Sequence, residues 1–199
     1  MKLIHRVNPL VVPFRDDPDL RYSFRHRGFS GMAVHGLVTC EHFRNGNLIH
    51  TQTGLNTFTT EGMARILNIV FRAQTTEAAI YCGIFKNNVT PALGNTAATA
   101  LGAAGTYGEC QDADYDSPAT NKPAYTMAST ATAVATNTAS KATFVMNASI
   151  TVYGAFLSTA AAKTAVSGTL FCGKAFAASR AVIADDELAV TYTITLTTS

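Results

Sequence analysis

The chain has 199 residues, of which 47% are hydrophobic and 14% are charged, and its formal net charge is +2. This length suits one well-formed hydrophobic core and is short for two domains. The charged share lies below the roughly 25% of an average soluble chain, and Ala and Thr fill the difference. Such a balance lacks the excess Lys and Arg that nucleic acid or an anionic membrane attracts, so we expect neither partner.

The N-terminal residues do not resemble a targeting segment. No apolar run in the sequence approaches the ~20 residues of a membrane-spanning helix. Arg6, Pro9 and Arg15 interrupt the first apolar stretch before it reaches the length of a secretory signal. We therefore expect a soluble protein that is not exported by the secretory route.

Residues 1–31 differ from the rest of the chain and predict an extended N-terminal arm. Pro9, Pro13 and Pro18 interrupt any regular element. Aromatic and Arg side chains alternate along the arm and are the residue types enriched where proteins contact one another. A disordered tail is the alternative interpretation. The candidate contact residues are Phe14, Arg15, Arg21, Tyr22, Phe24, Arg25 and Phe29.

The chain after the arm begins with a predicted hairpin and one helix. Met32–Val38 is a half-apolar run, and Asn45-Gly46-Asn47 has the turn chemistry that reverses the chain into Leu48 and Ile49. A single apolar stripe then predicts the helix, and Thr59 or Thr60 can cap its first amides. We expect the stripe to pack in the core rather than to form a partner groove. Its members are Met63, Ile66, Leu67, Val70 and Phe71.

Several segments in the rest of the chain have the pattern of strands. Residues 79–85 predict a buried strand, whereas the small residues of 91–140 fit either strands or surface loops. Residues 142–157 alternate apolar and polar positions, and residues 187–197 do so more strictly, with 169–176 between them. The predicted fold is mainly β: an antiparallel β-sandwich or jelly roll over 32–199, with one short helix and an extended N-terminal arm over 1–31.

The sequence does not indicate catalytic chemistry. Cys40 and His42 would share one strand face, as a thiolate–imidazole pair requires, but no nucleophile elbow or oxyanion turn accompanies them. We expect both to be solvated strand residues and the protein not to be an enzyme. The four cysteines have no CxxC spacing; we expect buried, idle thiols, with disulfides as the alternative. They are Cys40, Cys82, Cys110 and Cys172.

One acidic cluster is a candidate cation site. Glu109, Asp112, Asp114 and Asp116 alternate as calcium ligands can, but Ser117 and Pro123 stand where an EF-hand loop needs Gly and Glu. A subunit contact to Arg or Lys and a plain solvated loop are the other interpretations, and we favour the solvated loop. Phosphate-binding and dinucleotide motifs are not found. We therefore expect no metal and no cofactor.

The order and spacing of the strand motifs resemble a known family. Residues 153–157 (YGAFL), 167–171 (SGTLF), 175–176 (AF) and 187–194 (ELAVTYTI) are similar to the closing strands of small virion structural proteins of tailed bacteriophages. Residues 54–56 (GLN) before the helix, and 81–85 (YCGIF) followed by Asn87 and Thr90-Pro91, resemble the first half of the same family. The resemblance covers roughly residues 35–197, so the arm lies outside it.

The resemblance implies a structural virion protein of a tailed bacteriophage, assembled in the host cytoplasm. The first expectation is a capsid cement or decoration protein that binds the major capsid protein or other virion proteins. A tail, neck or fibre component is the alternative, and a carbohydrate-binding module is the alternative of another class. We also expect a homo-oligomer, with a trimer favoured, whose contacts include Thr191, Thr193 and Thr195 on the polar face of the last strand.

Overall fold

The computed structural model describes residues 32–127, 132–163 and 165–198. The predicted arm, residues 1–31, lies outside these ranges. In chain order the elements are β1 (Met32–Arg44), β2 (Asn47–Leu55), β3 (Thr57–Phe58), α1 (Thr60–Phe71), β4 (Tyr81–Phe85), α2 (Ala97–Ala100), β5 (Tyr115–Ser117), β6 (Val134–Thr136), β7 (Ala142–Met146), β8 (Ile150–Ser158), β9 (Leu170–Val182) and β10 (Glu187–Thr198).

The strands form two antiparallel sheets, which confirms the predicted mainly β fold. Sheet 1 has the order β2-β1-β10-β7-β5, and β6 also pairs with β10. Sheet 2 has the order β3-β9-β8-β4. No helix among the described residues is long and apolar enough to cross a membrane.

Two clusters of buried side chains hold these sheets together. The first cluster takes residues from both sheets, including Val38 of β1, Val152 of β8 and Tyr192 of β10. The second contains Phe85 and Phe156 of sheet 2 together with Tyr107 from the loops after β4. The Phe85 and Tyr107 rings stack at 4.8 Å between centroids. Residues of sheet 2 therefore contribute to both clusters.

The predicted hairpin forms between β1 and β2. Asn45 and Gly46 both have positive φ, of 50° and 74°, as a two-residue type I′ turn requires. Arg44 pairs with Asn47 directly across the turn. The prediction of a buried strand near residues 79–85 is also confirmed, since Cys82 to Phe85 of β4 are all buried.

The prediction of one strand over residues 142–157 is wrong. The chain forms β7 in sheet 1 and β8 in sheet 2, with residues 147–149 between them. Phe144 and Met146 are buried in β7, and Val152 and Phe156 are buried in β8. Burial alternates in β7, whereas residues 154–158 of β8 are all buried. Between the two strands Asn147 lies outside the ladder, and its side chain donates to the Asp112 carbonyl.

The segment 91–140 contributes more large buried side chains than its many small residues suggest. Leu101, Tyr107, Tyr115 and Tyr125 are all buried. The short helix α2 begins at a capping box in which Thr96 and Thr99 exchange side-chain and backbone hydrogen bonds. Leu101 and these three tyrosines therefore anchor the described part of this segment.

The single predicted helix is α1, and its predicted cap is confirmed. Thr59 is the N-cap, and its side chain accepts from the Gly62 amide at 3.0 Å. The expected core packing of the apolar stripe is wrong for most of its members. Ile66 packs against the first core cluster, whereas Met63, Leu67, Val70 and Phe71 are exposed.

Candidate functional site

Cys40 and His42 share the inner face of β1, as the strand period predicts. Both are buried, so the expectation of solvated strand residues is wrong. Burial raises the pKa of the Cys40 thiol to about 12, which keeps the sulfur protonated at neutral pH. The pair therefore lacks the thiolate that nucleophilic chemistry would need.

His42 belongs instead to a buried ionic network that joins β1 to the turn before β10. Its Nε2 lies 2.9 Å from Asp186 Oδ2, and Arg180 approaches its Nδ1 at 3.4 Å. Because an Arg N–H can only donate, Nδ1 accepts and Nε2–H donates to the carboxylate. Arg44 completes the network with a bidentate contact to Asp186 at 2.7 and 2.8 Å.

Asp186 is the charged centre of this network. Hydrogen bonds from the Arg44 guanidinium hold the pKa of this carboxyl well below its usual range, with further donors at the Ile183 amide and His42. A buried carboxylate requires hydrogen-bond donors to both of its oxygens, and Asp186 has them. The network fastens β1 to β10 at one end of sheet 1.

All four cysteines lie buried and unpaired. Burial raises the pKa of each thiol above its ordinary value. This agrees with the expectation of buried thiols, and no disulfide joins them.

The carboxylates of the acidic cluster contact different lysines and do not converge on one point. Glu109 is buried, and its Oε1 accepts from Lys122 Nζ at 2.8 Å while Oε2 accepts from the Gly102 amide at 2.8 Å. Burial raises the pKa of Glu109 and lowers that of Lys122. Lys122 also donates to the Ala162 carbonyl, so this pair ties three loops together.

The other carboxylates of the cluster have their own partners. Asp114 is buried and accepts from Lys86 at 2.8 and 3.0 Å. Asp112 is exposed and lies 3.0 Å from the buried Lys163 Nζ. The expectation of a plain solvated loop is therefore wrong for Glu109 and Asp114. No three His, Cys, Asp or Glu side chains converge on a possible metal position within the described ranges.

The predicted contact residues of the arm, Phe14 to Phe29, lie outside the described residues. Thr191, Thr193 and Thr195 are half-buried on the outer face of β10. Thr193 Oγ1 lies 2.9 Å from Thr136 Oγ1 of β6. On the same face of sheet 1, Thr39 and Thr53 form a matching hydroxyl pair at 3.0 Å across β1 and β2. The threonines thus extend over several strands.

The long exposed edge among the described strands is β2, not β10. Strand β10 lies inside sheet 1, with β1 on one side and β7 and β6 on the other. Residues 47–55 of β2 contain no charged residue and no Pro, which are the usual protections of an edge. Leu48, Ile49 and Leu55 are exposed there. The local sequence pattern does not reveal this edge, because a strand's position in its sheet depends on long-range pairing.

A second surface, which the helical stripe in the sequence does not distinguish from a core-facing one, lies at α1. Four apolar side chains of the helix are exposed, and a cavity of about 440 Å³ borders the helix at Ile69. Comparison with known proteins adds no precedent for either surface: no protein family, no curated protein and no solved structure matches this chain.

Proposed function

We propose that the protein is a structural virion protein of a tailed bacteriophage, most simply a capsid cement or decoration protein. Its role is to bind the capsid lattice and other copies of itself. The resemblance of its strand motifs to small phage virion proteins supports this function.

The observation that carries the proposal is the amount of large apolar surface left exposed. Thirteen large hydrophobic side chains are exposed among the described residues, although the chain has two buried clusters to hold such groups. Scattered exposed apolar residues are ordinary. Here four of them lie on one helix and three on one edge strand, and grouped apolar surface of this kind is typical of sites of association.

The uncharged edge of β2 supports the same function. An exposed strand that lacks charge and Pro pairs readily with other chains, and a closed assembly covers it without open-ended growth. We therefore propose a homo-oligomer, and the resemblance to small phage virion proteins favours a trimer. The threonine face of sheet 1, which includes Thr191, Thr193 and Thr195, is the second proposed contact.

The number of copies per particle tests this function. Quantitative mass spectrometry of purified virions should find hundreds of copies, as capsid decoration requires. About a dozen copies or fewer would move the protein to the neck or tail, and its absence from purified particles would overturn a virion role. Light scattering of the isolated full chain measures the oligomer directly, and a monomer at all concentrations would contradict self-association.

A further inference from the structure

Helix α1 presents an apolar face that no side chain of the described residues covers completely. Met63 is 37% exposed, Leu67 51%, Val70 64% and Phe71 73%. These positions follow the i, i+4, i+7, i+8 spacing of one helix face. Their exposure rises toward the C-terminal end, where the largest side chain is the most exposed.

The packing of α1 against β9 prevents this apolar face from turning toward the core. Gly62 lies against the backbone of Phe171, and a Cβ at Gly62 would meet Phe171 Cα at 2.5 Å. At 100° per residue, Leu67 and Phe71 lie about 140° and 180° around the helix from Gly62. Glu61 fixes the rotation, because its Oε2 accepts from the Ala97 and Leu170 amides at 2.8 and 2.7 Å.

A cavity of about 440 Å³ adjoins the helix. Its lining is mostly apolar and includes Ile69 of α1, Ile80, Tyr125 and Phe171. This volume falls within the range of pockets that take small organic groups. At 100° per residue, Ile69 lies about 160° around the helix from Leu67 and from Phe71, so the cavity and the exposed face are on different sides of α1. An extended segment that passes around the helix could lay some side chains on the exposed face and insert others into the cavity.

The N-terminal arm has the chemistry of such a segment. Residues 1–31 supply four aromatic side chains from Phe14 to Phe29, together with an apolar run near Leu10. The arm holds six basic and three acidic residues, which gives it a net charge of +3 and leaves −1 for the rest of the chain. Fully extended, 31 residues span up to ~100 Å, so the arm is long enough to reach another copy.

A second copy of α1 is a weaker occupant of the same face. The helix has 12 residues and is about 18 Å long. A contact between two such helices falls well short of the ~800 Å² that each partner buries in a standard interface. An arm that crosses both the helix and the cavity covers more of the exposed apolar surface.

We infer that the apolar face of α1 and its adjoining cavity receive the aromatic side chains of residues 1–31 of a neighbouring copy. This inference rests on the proposed function, because it names the surface through which copies on a particle join. Each copy then both donates an arm and accepts one, so the contact can close into a ring.

Photo-cross-linking in the full chain tests the inference. A photoreactive phenylalanine analogue replaces Leu67, and equal amounts of ¹⁴N- and ¹⁵N-labelled protein are mixed, assembled and irradiated. Mass spectrometry should find mixed-isotope cross-links from position 67 to residues 1–31. The same probe at Ala139, exposed in the turn between β6 and β7, should give none to the arm. Cross-links only within one copy, only to a second α1, or none at all would overturn the inference.

A charge-insertion variant gives an independent measurement. Leu67→Lys with Phe71→Lys should weaken self-association at least tenfold in sedimentation velocity, with an unchanged circular dichroism spectrum. The matched control, Val166→Lys with Ile183→Lys, places the same charges on exposed apolar residues elsewhere and should associate as the unaltered chain does. If the α1 variant fails to fold, the cross-linking result alone decides.

These outcomes separate the inference from the function. High copy number on virions without arm-to-α1 cross-links would retain the decoration role and discard this docking site. Arm-to-α1 cross-links in a protein that is not found on virions would retain the docking site and discard the decoration role.

Discussion

The outer faces of the two sheets differ in what covers them. Sheet 2 is covered by its own chain: Tyr107 and Leu101 bury Phe85 and Phe156 from the outside. The outer face of sheet 1 carries half-buried and exposed threonines whose hydroxyls bond to one another across strands. A covered face has to be held by contacts within the chain, whereas a hydroxyl-bearing face is stable in water and remains available to a partner. Two Lys–Glu pairs, one beneath the cover and one on sheet 1, make this difference measurable.

The largest expected effect is the loss of the buried pair beneath the cover. Lys122 and Glu109 have side chains that are 0% and 1% exposed. Lys122→Met would leave Glu109 as an uncompensated buried charge, so we expect a loss of about 3–5 kcal/mol in the free energy of unfolding. Urea unfolding measures this loss. Lys122→Met combined with Glu109→Leu should recover much of it, and a double variant as unstable as the single one would contradict this account.

The matched pair on sheet 1 should matter much less. Lys141 Nζ lies 2.5 Å from Glu41 Oε2, and the Lys141 side chain is partly exposed. Lys141→Met should cost under about 1 kcal/mol, because water compensates a surface ion that loses its partner. Equal losses for Lys122→Met and Lys141→Met would remove the distinction between the covered and the open face.

Acid should weaken sheet 1 through Asp186. The pKa of this carboxyl is lowered from its ordinary value of 3.8, chiefly by hydrogen bonds from Arg44. The unfolded chain therefore takes up this proton at higher pH than the folded one, so the stability from Asp186 is complete above about pH 5 and is lost as pH falls below 4. Asp186→Asn should lose less stability than the unaltered chain between pH 6 and pH 2.5. Parallel curves in urea unfolding would contradict the role of Asp186.

A loss of stability well below that of Lys122→Met is expected at the contact between the two sheets. The Gln52 side chain of β2 donates to the Ala178 carbonyl at 2.9 Å and accepts from the Ala178 amide at 3.0 Å. Residues 176–179 of β9 lie outside the ladder with β8, so these bonds hold that segment against sheet 1. Gln52→Ala should cost about 1 kcal/mol in urea unfolding, and Thr51→Ala, on the opposite face, serves as the control. Equal stability of the two variants would argue against this contact.

The smallest effect on stability is expected on the threonine face. Thr193→Lys with Thr195→Lys should lower the free energy of unfolding by about 0.5 kcal/mol, because both positions are half-buried and the only side-chain hydrogen bond lost among the described residues is the one between the Thr193 and Thr136 hydroxyls. Self-association in light scattering should nevertheless be lost if this face is a contact. Thr120→Lys with Ser167→Lys, on exposed loops, is the matched control. Association equal to that of the unaltered chain would exclude the threonine face as a contact.

Local pattern predicted those parts of the fold that depend on near neighbours. The turn at Asn45-Gly46, the cap at Thr59 and the inward set of β10 follow from turn chemistry, capping and strand period. The same rules could not place β7 and β8 in different sheets, because the alternation of apolar and polar residues continues from β7 across Asn147 into the start of β8. Sheet membership is decided by pairing with other segments of the chain, such as the pairing of Glu187 with Val145.

The candidate surfaces were harder to predict than the fold. A helical apolar stripe has the same pattern whether it faces a core or a partner, and only the contact of Gly62 with Phe171 reveals the outward face of α1. The carboxylates near Asp112 likewise have the sequence pattern of a solvated loop, because the lysines that pair with Glu109 and Asp114 lie elsewhere in the sequence. Ionic partners of this kind carry no local signal.

Strand β10 pairs with β7 over residues 187–190 and with β6 over residues 193–195. Between these two segments, a side chain supplies the hydrogen bonds that a neighbouring backbone would otherwise make. Asn137 donates to the Val190 carbonyl at 3.1 Å and accepts from the Tyr192 amide at 2.7 Å. The Tyr192 amide lies in the middle of a buried strand, yet its hydrogen bond ends on a side chain that one rotamer change can withdraw. Its hydrogen exchange is therefore set by the motion of a single amide group, while the Val190 amide, in the β7 ladder, opens only with its strand.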